Sequence, residues 1–257
     1  MRTIYLDNNA TTAVAPEVRD AILPYLSDLY GNPSSMHSFG GQVHGKIEEA
    51  RVHVAELIGA EPEEIIFTGC GSESDNTALM SAVECNPGKR RLVTTRVEHS
   101  AILNFCKHLA TKGCHTTYLP VDTLDGRNMG AVRGSIDDPT AVDSVMYANN
   151  ETGVVFPVEE IGKLLRARGI LFHTDAVQVA GKIPIDVKKL PVDMLSLSGH
   201  KLHAPKGIGV LYVRKGVRFC PYLIGGHQER GRRAGTENVA SIIGRGKACE
   251  LGKKELA

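Results

Sequence analysis

The chain has 257 residues, of which 42% are hydrophobic and 23% are charged, with a formal net charge of +1. This composition is typical of an ordinary globular protein, and it argues against a disordered or fibrous one. A net charge this close to zero gives no electrostatic reason to expect binding to nucleic acid or to acidic surfaces.

The sequence contains neither an apolar run long enough to cross a membrane nor a leader of the secretory type. It therefore predicts a cytoplasmic protein. The six cysteines are scattered and form no CxxC pair, so free thiols are expected rather than disulfides. Cys106, His108, Cys114 and His115 match no zinc spacing, and no metal site is predicted.

The first sixty residues predict a short strand followed by two helices. Residues 4–12 are predicted to form a short strand that runs into a turn rich in Asn and Thr. The first helix begins near Pro16 and stops at residues 31–33, Gly-Asn-Pro. The second helix has apolar residues at helical spacing over 43–57, and Gly59 suits the position just after its end.

From residue 64 onward, strand patterns and helix patterns alternate. This order implies a mostly parallel sheet covered on both faces, the three-layer α/β/α architecture. A turn is predicted at Asp125-Gly126. The predicted strands cover residues 64–68, 91–95, 115–121, 141–147, 170–174, 192–197 and 208–213, and the predicted helices cover 73–83, 101–110, 158–167 and 240–256.

Polar residues follow the ends of several predicted strands. In sheets of this kind, ligands bind beyond the carboxyl ends of the strands. A set of side chains contributed by separate strand ends therefore predicts a binding site, although each residue alone is weak evidence. The set comprises the Gly71-Ser72 turn, His99, Asn150, Asp175, Gln178 and Lys201.

The turn over residues 69–72 joins a strand to the first turn of a helix. Glycine allows close approach to the backbone, and the free N–H groups of a helix start attract anions such as phosphate. The turn matches neither the Walker pattern nor GxGxxG, so this signal is weak by itself.

Lys201 lies between two histidines, on a turn that joins two apolar strand segments. Partial burial would lower the pKa of its amine and favour attack on an aldehyde, whereas a lone lysine on a turn is more often a surface residue. Pyridoxal 5′-phosphate (PLP) requires such an amine, a helix start for its phosphate and an acid beside its ring nitrogen. Asp175 could be that acid.

The chain resembles the cysteine desulfurases of the class V aminotransferase family, in particular the nitrogen-fixation type. The similarity spans residues 5–238, and its motifs are specific when taken together. The segments that carry it are 5–12 (YLDNNATT), 31–35 (GNPSS), 71–74 (GSES), 97–99 (VEH), 148–153 (ANNETG), 173–178 (HTDAVQ), 197–201 (LSGHK), 226–231 (GHQERG) and 233–238 (RAGTEN).

The resemblance implies roles around the cofactor ring. Lys201 would bind the cofactor covalently and move protons, and His99 would stack on the ring and act as an acid–base group. Asp175 would pair with the ring nitrogen, Gln178 with the ring hydroxyl, and Asn150 would lie beside cofactor and substrate. The alternatives are purely structural roles: His99 would cap a helix, and Asp175 would stabilise a turn.

The resemblance also implies a phosphate site and a homodimer. Gly71, Ser72, Ser198 and His200 would hold the phosphate, and Thr236 would reach the phosphate of the neighbouring subunit. Ser198 could instead be a hydroxyl at a strand end with no ligand.

The implied reaction converts L-cysteine to L-alanine and passes persulfide sulfur to an iron–sulfur scaffold protein. In the family, a cysteine well beyond the lysine takes the sulfur and a later arginine binds the substrate carboxylate. This chain contains neither residue. We therefore expect a truncated desulfurase with an N-terminal arm over 1–14, a PLP-binding large domain over 15–257 and no small domain. We expect it to bind PLP weakly and to lack turnover.

Two other interpretations remain open. One is a different enzyme of the same family, such as a selenocysteine lyase or another class V enzyme. The other is a non-catalytic partner that pairs with a full-length subunit.

Overall fold

A computed structural model describes residues 4–121, 129–137 and 139–256. Seven strands form one sheet: β1 (Ile65–Thr68), β2 (Arg91–Thr95), β3 (His115–Leu119), β4 (Thr140–Ser144), β5 (Leu171–Asp175), β6 (Met194–Ser198) and β7 (Gly209–Val213). The helices are α1 (Pro16–Ile22), α2 (Pro24–Ser27), α3 (Ser38–Ile58), α4 (Gly71–Glu84), α5 (Ser100–Ala110), α6 (Met129–Ser135), α7 (Val158–Arg166) and α8 (Val239–Leu256).

The strand order is β1-β7-β6-β5-β4-β2-β3. Strands β2 to β6 pair in parallel, and β7 pairs antiparallel with both β1 and β6. The sheet is therefore mostly parallel, as predicted. The connection that carries Lys201 joins the antiparallel pair β6 and β7.

Helices cover both faces of the sheet, because each buried strand contributes apolar side chains to both sides. On one face, Ile66 and Leu92 pack with side chains of α4 and α5. On the other face, Phe172 and Leu195 pack with residues of α3, α7 and α8. These two cores confirm the α/β class.

The first predicted strand is wrong. Within residues 4–12, positions 8–10 form the expected turn and none of the nine lies in a strand. The segment hydrogen-bonds to the β6–β7 connection, to Asn150 and to Gln178, and it does not pair with a strand of the sheet. The backbone N–H of Thr12 donates to the carbonyl of His200 at 2.9 Å, and that of Ala15 donates to the carbonyl of His203 at 3.0 Å. The described part of the predicted N-terminal arm therefore contacts Lys201, through Asn9 and Ala10.

The first predicted helix is divided in two. Pro24 begins α2 directly after the end of α1. Proline has no N–H to donate to the preceding turn, so it interrupts the helix even though Leu23 before it keeps helical angles. By contrast, α3 ends as expected, with Gly59 in the left-handed conformation at φ 72°. The predicted turn at Asp125-Gly126 lies outside the described residues.

The expectation of free cysteines is wrong for one pair. Cys85, at the end of α4, forms a disulfide with Cys220, with the two Cα atoms 6.0 Å apart. The other four cysteines are free. The two partners are 135 positions apart, so sequence spacing gave no indication of the pairing. Among the helices in the described ranges, none is long and apolar enough to cross a membrane.

Candidate functional site

A cavity of about 250 Å³ lies beyond the carboxyl ends of the parallel strands. The structure brings nine of the ten predicted site residues to its wall, whereas Thr236 is exposed and does not line it. The nine are Gly71, Ser72, His99, Asn150, Asp175, Gln178, Ser198, His200 and Lys201.

One end of the cavity is formed by the start of α4, which follows β1 through a short turn. A Cβ atom at Gly71 would lie 3.1 Å from Val177 Cγ2 and 3.4 Å from Ser198 Cβ, so a larger residue would crowd the cavity wall. No described side chain caps this helix. The first-turn N–H groups are thus available for an anion, and the geometry fits a phosphate group.

Lys201 lies in a helical turn directly after β6. Its amine donates hydrogen bonds to the backbone carbonyls of Asn9 and of Ala10, the latter at 2.9 Å. Burial, and then the nearby positive charge of Lys182, lowers the pKa of the Lys201 amine. A lowered pKa raises the fraction of neutral amine, the form that attacks a carbonyl carbon.

Gln178 is held by the same arm, because its Nε2 donates to the carbonyl of Asn9 at 2.9 Å. His200 shares a 3.1 Å hydrogen bond with the Thr11 hydroxyl. Burial, then the charge of Lys201, lowers the pKa of His200. The arm therefore forms part of the site wall and contacts several of its polar groups.

Asp175 ends β5 and is 6% exposed. Its Oδ1 accepts a hydrogen bond from the backbone N–H of Val177 at 2.9 Å. Burial raises the pKa of this carboxyl, while the Val177 N–H and the charges of His99 and Lys201 oppose the rise. A buried acid of this kind fits a cationic ring nitrogen, because an adjacent positive charge favours the ionised carboxylate.

His99 combines the role implied by the resemblance with the alternative one. Its Nδ1 accepts a hydrogen bond from the backbone N–H of Ala101 at 3.2 Å and so caps α5, while the residue also lines the cavity. Because Nδ1 acts as an acceptor, a neutral His99 carries its proton on Nε2. The cap thereby fixes both the ring orientation and the tautomer.

Asn150 is positioned by Asn149, which the sequence analysis did not single out. Asn149 donates to the carbonyl of Val97 at 3.1 Å, and its Oδ1 accepts from the backbone N–H groups of Glu151 at 3.0 Å and Thr152 at 2.9 Å. This Asx-type turn follows β4 and holds Asn150 at the cavity.

Glu98 joins the ends of β2 and β4. Its Oε1 accepts from the Thr95 hydroxyl at 2.6 Å and from the backbone N–H of Met146 at 3.0 Å. The side chain is buried, and burial raises its pKa to about 8. Glu98 is therefore a neutral acid at neutral pH, directly beside His99 in the chain.

The pKa of Glu98 predicts a specific pH dependence of stability. Between its ordinary value of 4.5 and about 8, folded Glu98 keeps a proton that the unfolded chain releases. Its contribution to stability is thus complete below the lower value and is lost as pH rises through the upper one. The free energy of unfolding should therefore fall between pH 5 and pH 8 in the unmodified chain. In a Glu98→Gln variant this fall should be smaller, by about 1 kcal/mol or more.

Urea denaturation of both proteins at several pH values measures this difference. Burial lowers the pKa of His173 to about 3 and raises that of Asp143 to about 8, so both groups also titrate, but they are present in both proteins. Parallel pH profiles for the two proteins would contradict the assignment.

Six cavity-lining residues were missed as site residues: Ala10, Cys70, Asp75, Met146, Ala148 and Val177. Asp75 follows Gly71 by four positions on α4, so helical geometry places the two on the same face. This spacing could have identified Asp75 as a site residue from the sequence. Cys70 is exposed at the cavity, directly before the first residue of α4.

The family model for aminotransferase class-V matches residues 4–256. This chain belongs to the class V aminotransferase family. Use of PLP is a property of that family, and the cavity geometry fits the cofactor at its phosphate end and at its ring nitrogen.

Several curated relatives of this class V chain are named as desulfurases. A "Cysteine desulfurase" from Nostoc sp. is 59% identical over 251 residues, which cover 98% of this chain and 63% of the relative. "Cysteine desulfurase NifS" from Azotobacter vinelandii is 55% identical and covers 97% of this chain and 62% of the relative. The chain thus spans less than two thirds of the length of these relatives.

Solved structures show the same class V architecture. A "NIFS-LIKE PROTEIN" superposes with a TM-score of 0.96 at 41% identity, covering 99% of this chain and 71% of that one. DndA from Streptomyces lividans superposes with a TM-score of 0.87 at 37% identity, covering 98% of this chain and 73% of that one.

Proposed function

We propose that this chain forms the cofactor-binding part of a PLP-dependent cysteine desulfurase, which converts L-cysteine to L-alanine and enzyme-bound persulfide sulfur. The observation that carries the proposal is the convergence of nine predicted residues, from separate strand ends, on one cavity. The names of the relatives favour L-cysteine over the substrates of other class V enzymes.

Bound PLP would supply an electron sink for the bonds at the substrate α-carbon. The protein groups would bind and orient it. The Lys201 amine would hold the aldehyde carbon, and the first turn of α4 at Gly71 and Ser72 would hold the phosphate together with Ser198 and His200. Asp175 would keep the ring nitrogen protonated.

Proton movement would fall to two groups. The Lys201 amine would be the base that takes the α-proton, and its lowered pKa suits that role. His99 carries its transferable proton on Nε2, because Nδ1 is engaged at the start of α5. Gln178 would contact the ring hydroxyl and Asn150 would flank the substrate.

The proposal includes a homodimer, an iron–sulfur scaffold protein as sulfur acceptor and a cytoplasmic location, all of which remain predictions. Thr236 is exposed and away from the cavity of its own chain. That position supports a contact with the phosphate of a second subunit. The division into an arm over 1–14 and a large domain over 15–257 is part of the same proposal.

The cofactor part of the proposal is tested by the absorbance spectrum of the purified chain with added PLP. A visible band is expected for the unmodified protein and for Lys206→Ala, and it should be absent for Lys201→Ala. Lys206 is an exposed lysine near Lys201 that does not line the cavity, so it is a matched control. Equal spectra for all three proteins would contradict the proposal.

The reaction part is tested by adding L-cysteine to the same samples. The band of the unmodified protein is expected to change, because the substrate amine replaces the Lys201 amine. We expect sulfide release in the presence of dithiothreitol to stay at the level of Lys201→Ala. Release at the rate of an intact desulfurase would contradict the expected lack of turnover.

A further inference from the structure

A second buried carboxyl lines the cavity beside Asp175. Asp75 lies one turn after Gly71 on α4 and is 1% exposed, against 6% for Asp175. Its Oδ1 has no hydrogen-bond partner among the described residues. The Ser196 side chain is a hydrogen-bond partner of the same carboxyl. A buried ionised carboxylate with one oxygen unpaired is costly, so this side chain requires an explanation.

The surroundings of Asp75 contain hydroxyl groups and a neutral imidazole. His173 Nε2 lies 3.6 Å from Asp75 Oδ1 and 2.9 Å from the Ser196 hydroxyl. His173 Nδ1 lies 2.9 Å from the Ser144 hydroxyl. The imidazole is fully buried, and burial lowers its pKa to about 3, so His173 is neutral near pH 7. It provides no positive charge for Asp75.

The same network adjoins Asp175. Strands β5 and β6 pair so that Asp175 stands opposite Ser196, and the Ser196 hydroxyl contacts the imidazole beside Asp75. Two carboxyl groups that are buried in one site cannot both ionise without strong repulsion. A single cation in the cavity can pair closely with only one of them.

We propose that Asp75 and Asp175 share one proton, and that Asp75 is a positioning residue: as a neutral acid it donates a hydrogen bond to the Ser196–His173 network, while Asp175 carries the one negative charge that faces the ring nitrogen. This inference rests on the proposed PLP function. It explains why a second buried acid lines the cavity with no cation partner among the described residues.

The titration behaviour agrees with this geometry. Burial, and then the charge of Asp175, raises the pKa of Asp75 well above its usual range. Other titratable groups act on the pair: Glu98 and Cys70 raise the pKa of Asp75, and His99 and Lys201 lower that of Asp175. Of these, the two basic groups favour the charged form of Asp175 specifically.

Two substitutions test whether Asp75 acts as a neutral hydrogen-bond donor or as a charged group. Asp75→Asn keeps the shape and a hydrogen-bond donor but cannot ionise, and Asp75→Leu has similar size and no donor. The readout is the pH midpoint at which the visible band of the PLP-bound protein changes. We expect the Asn variant to stay within about 0.3 pH units of the unmodified protein and the Leu variant to move by about one unit or more.

A residue with only a structural role would change stability without moving this midpoint. If the Asn variant moved the midpoint as far as the Leu variant, Asp75 would carry a charge and the proposal would be overturned. The proposal would equally be overturned if neither variant moved it.

A second measurement needs neither PLP nor the Leu variant. The infrared difference spectrum between the unmodified protein and Asp75→Asn, both without cofactor at pH 7, should show one protonated carboxyl C=O stretch. A carboxylate band instead would overturn the shared proton. If PLP fails to bind while the protonated carboxyl is present, the proposed function has failed and the shared proton has not.

Discussion

Replacing Glu229 with alanine is expected to lower the free energy of unfolding by about 3–5 kcal/mol. Glu229 accepts two parallel hydrogen bonds from the Arg51 guanidinium, at 2.7 and 2.8 Å, and a third from the backbone N–H of Phe67 at 2.9 Å. Arg51 and Glu229 are both almost fully buried. Removing the carboxylate therefore leaves a buried positive charge with only partial compensation from Glu48.

The effect can be measured by urea denaturation of the alanine variant beside two comparison variants. Glu229→Gln keeps hydrogen-bonding capacity but not the charge, so an intermediate loss is expected. Glu159→Ala breaks an exposed pair with Lys163 on α7 and should cost about 0.5 kcal/mol or less. Similar losses for Glu229→Ala and Glu159→Ala would show that the buried pair contributes little.

The same pair fixes the glycine-arginine loop, residues 225–236, on the sheet. Glu229 and Arg230 have positive φ angles of 48° and 59°, a backbone conformation that residues other than glycine rarely adopt. The hydrogen bonds of Glu229 to Arg51 and Phe67 stabilise this strained backbone. Since Thr236 ends the loop, the alanine change should also weaken any contact that Thr236 makes in a dimer.

The alternation of helices and strands was predictable because each element has a local pattern. The predicted strand over residues 91–95 has the same bounds as β2, and Gly59 correctly predicted the end of α3. The first strand failed because its hydrogen-bond partners are 188 residues away, at His200 and His203. A local pattern does not reveal whether an extended segment joins a sheet or covers a site.

The same distinction holds for the candidate site. Residues after strand ends could be predicted, since a parallel sheet brings those ends to one edge. The buried pair Arg51–Glu229 and the approach of His173 to Asp75 depend on contacts across the fold. No single helix or strand contains both partners, so local sequence patterns could not show that they are in contact.

Replacing Asp175 with asparagine is expected to weaken PLP binding about 100- to 1,000-fold at pH 7, the equivalent of about 3–4 kcal/mol. The amide has the shape of the carboxyl and can keep the hydrogen bond from Val177. It cannot pair with a protonated ring nitrogen. Titration of the cofactor-free protein with PLP, followed by the visible band, measures the dissociation constants.

The matched control is Asp186→Asn, which changes a carboxyl that does not line the cavity. Its affinity should equal that of the unmodified protein. If the dissociation constant of Asp175→Asn for PLP were also within about threefold of that of the unmodified protein, Asp175 would act through its turn hydrogen bond and not through its charge.

The pH dependence separates the charge of Asp175 from its shape. Burial raises the pKa of Asp175, so the unmodified protein loses the carboxylate at a higher pH than an exposed aspartate would. As the pH falls through that pKa, Asp175 becomes neutral like asparagine, and its advantage in binding PLP should disappear. The ratio of the two dissociation constants is therefore expected to be largest at neutral pH and to approach one in acid. A ratio that stayed constant with pH would mean that the substitution acts through packing and not through charge.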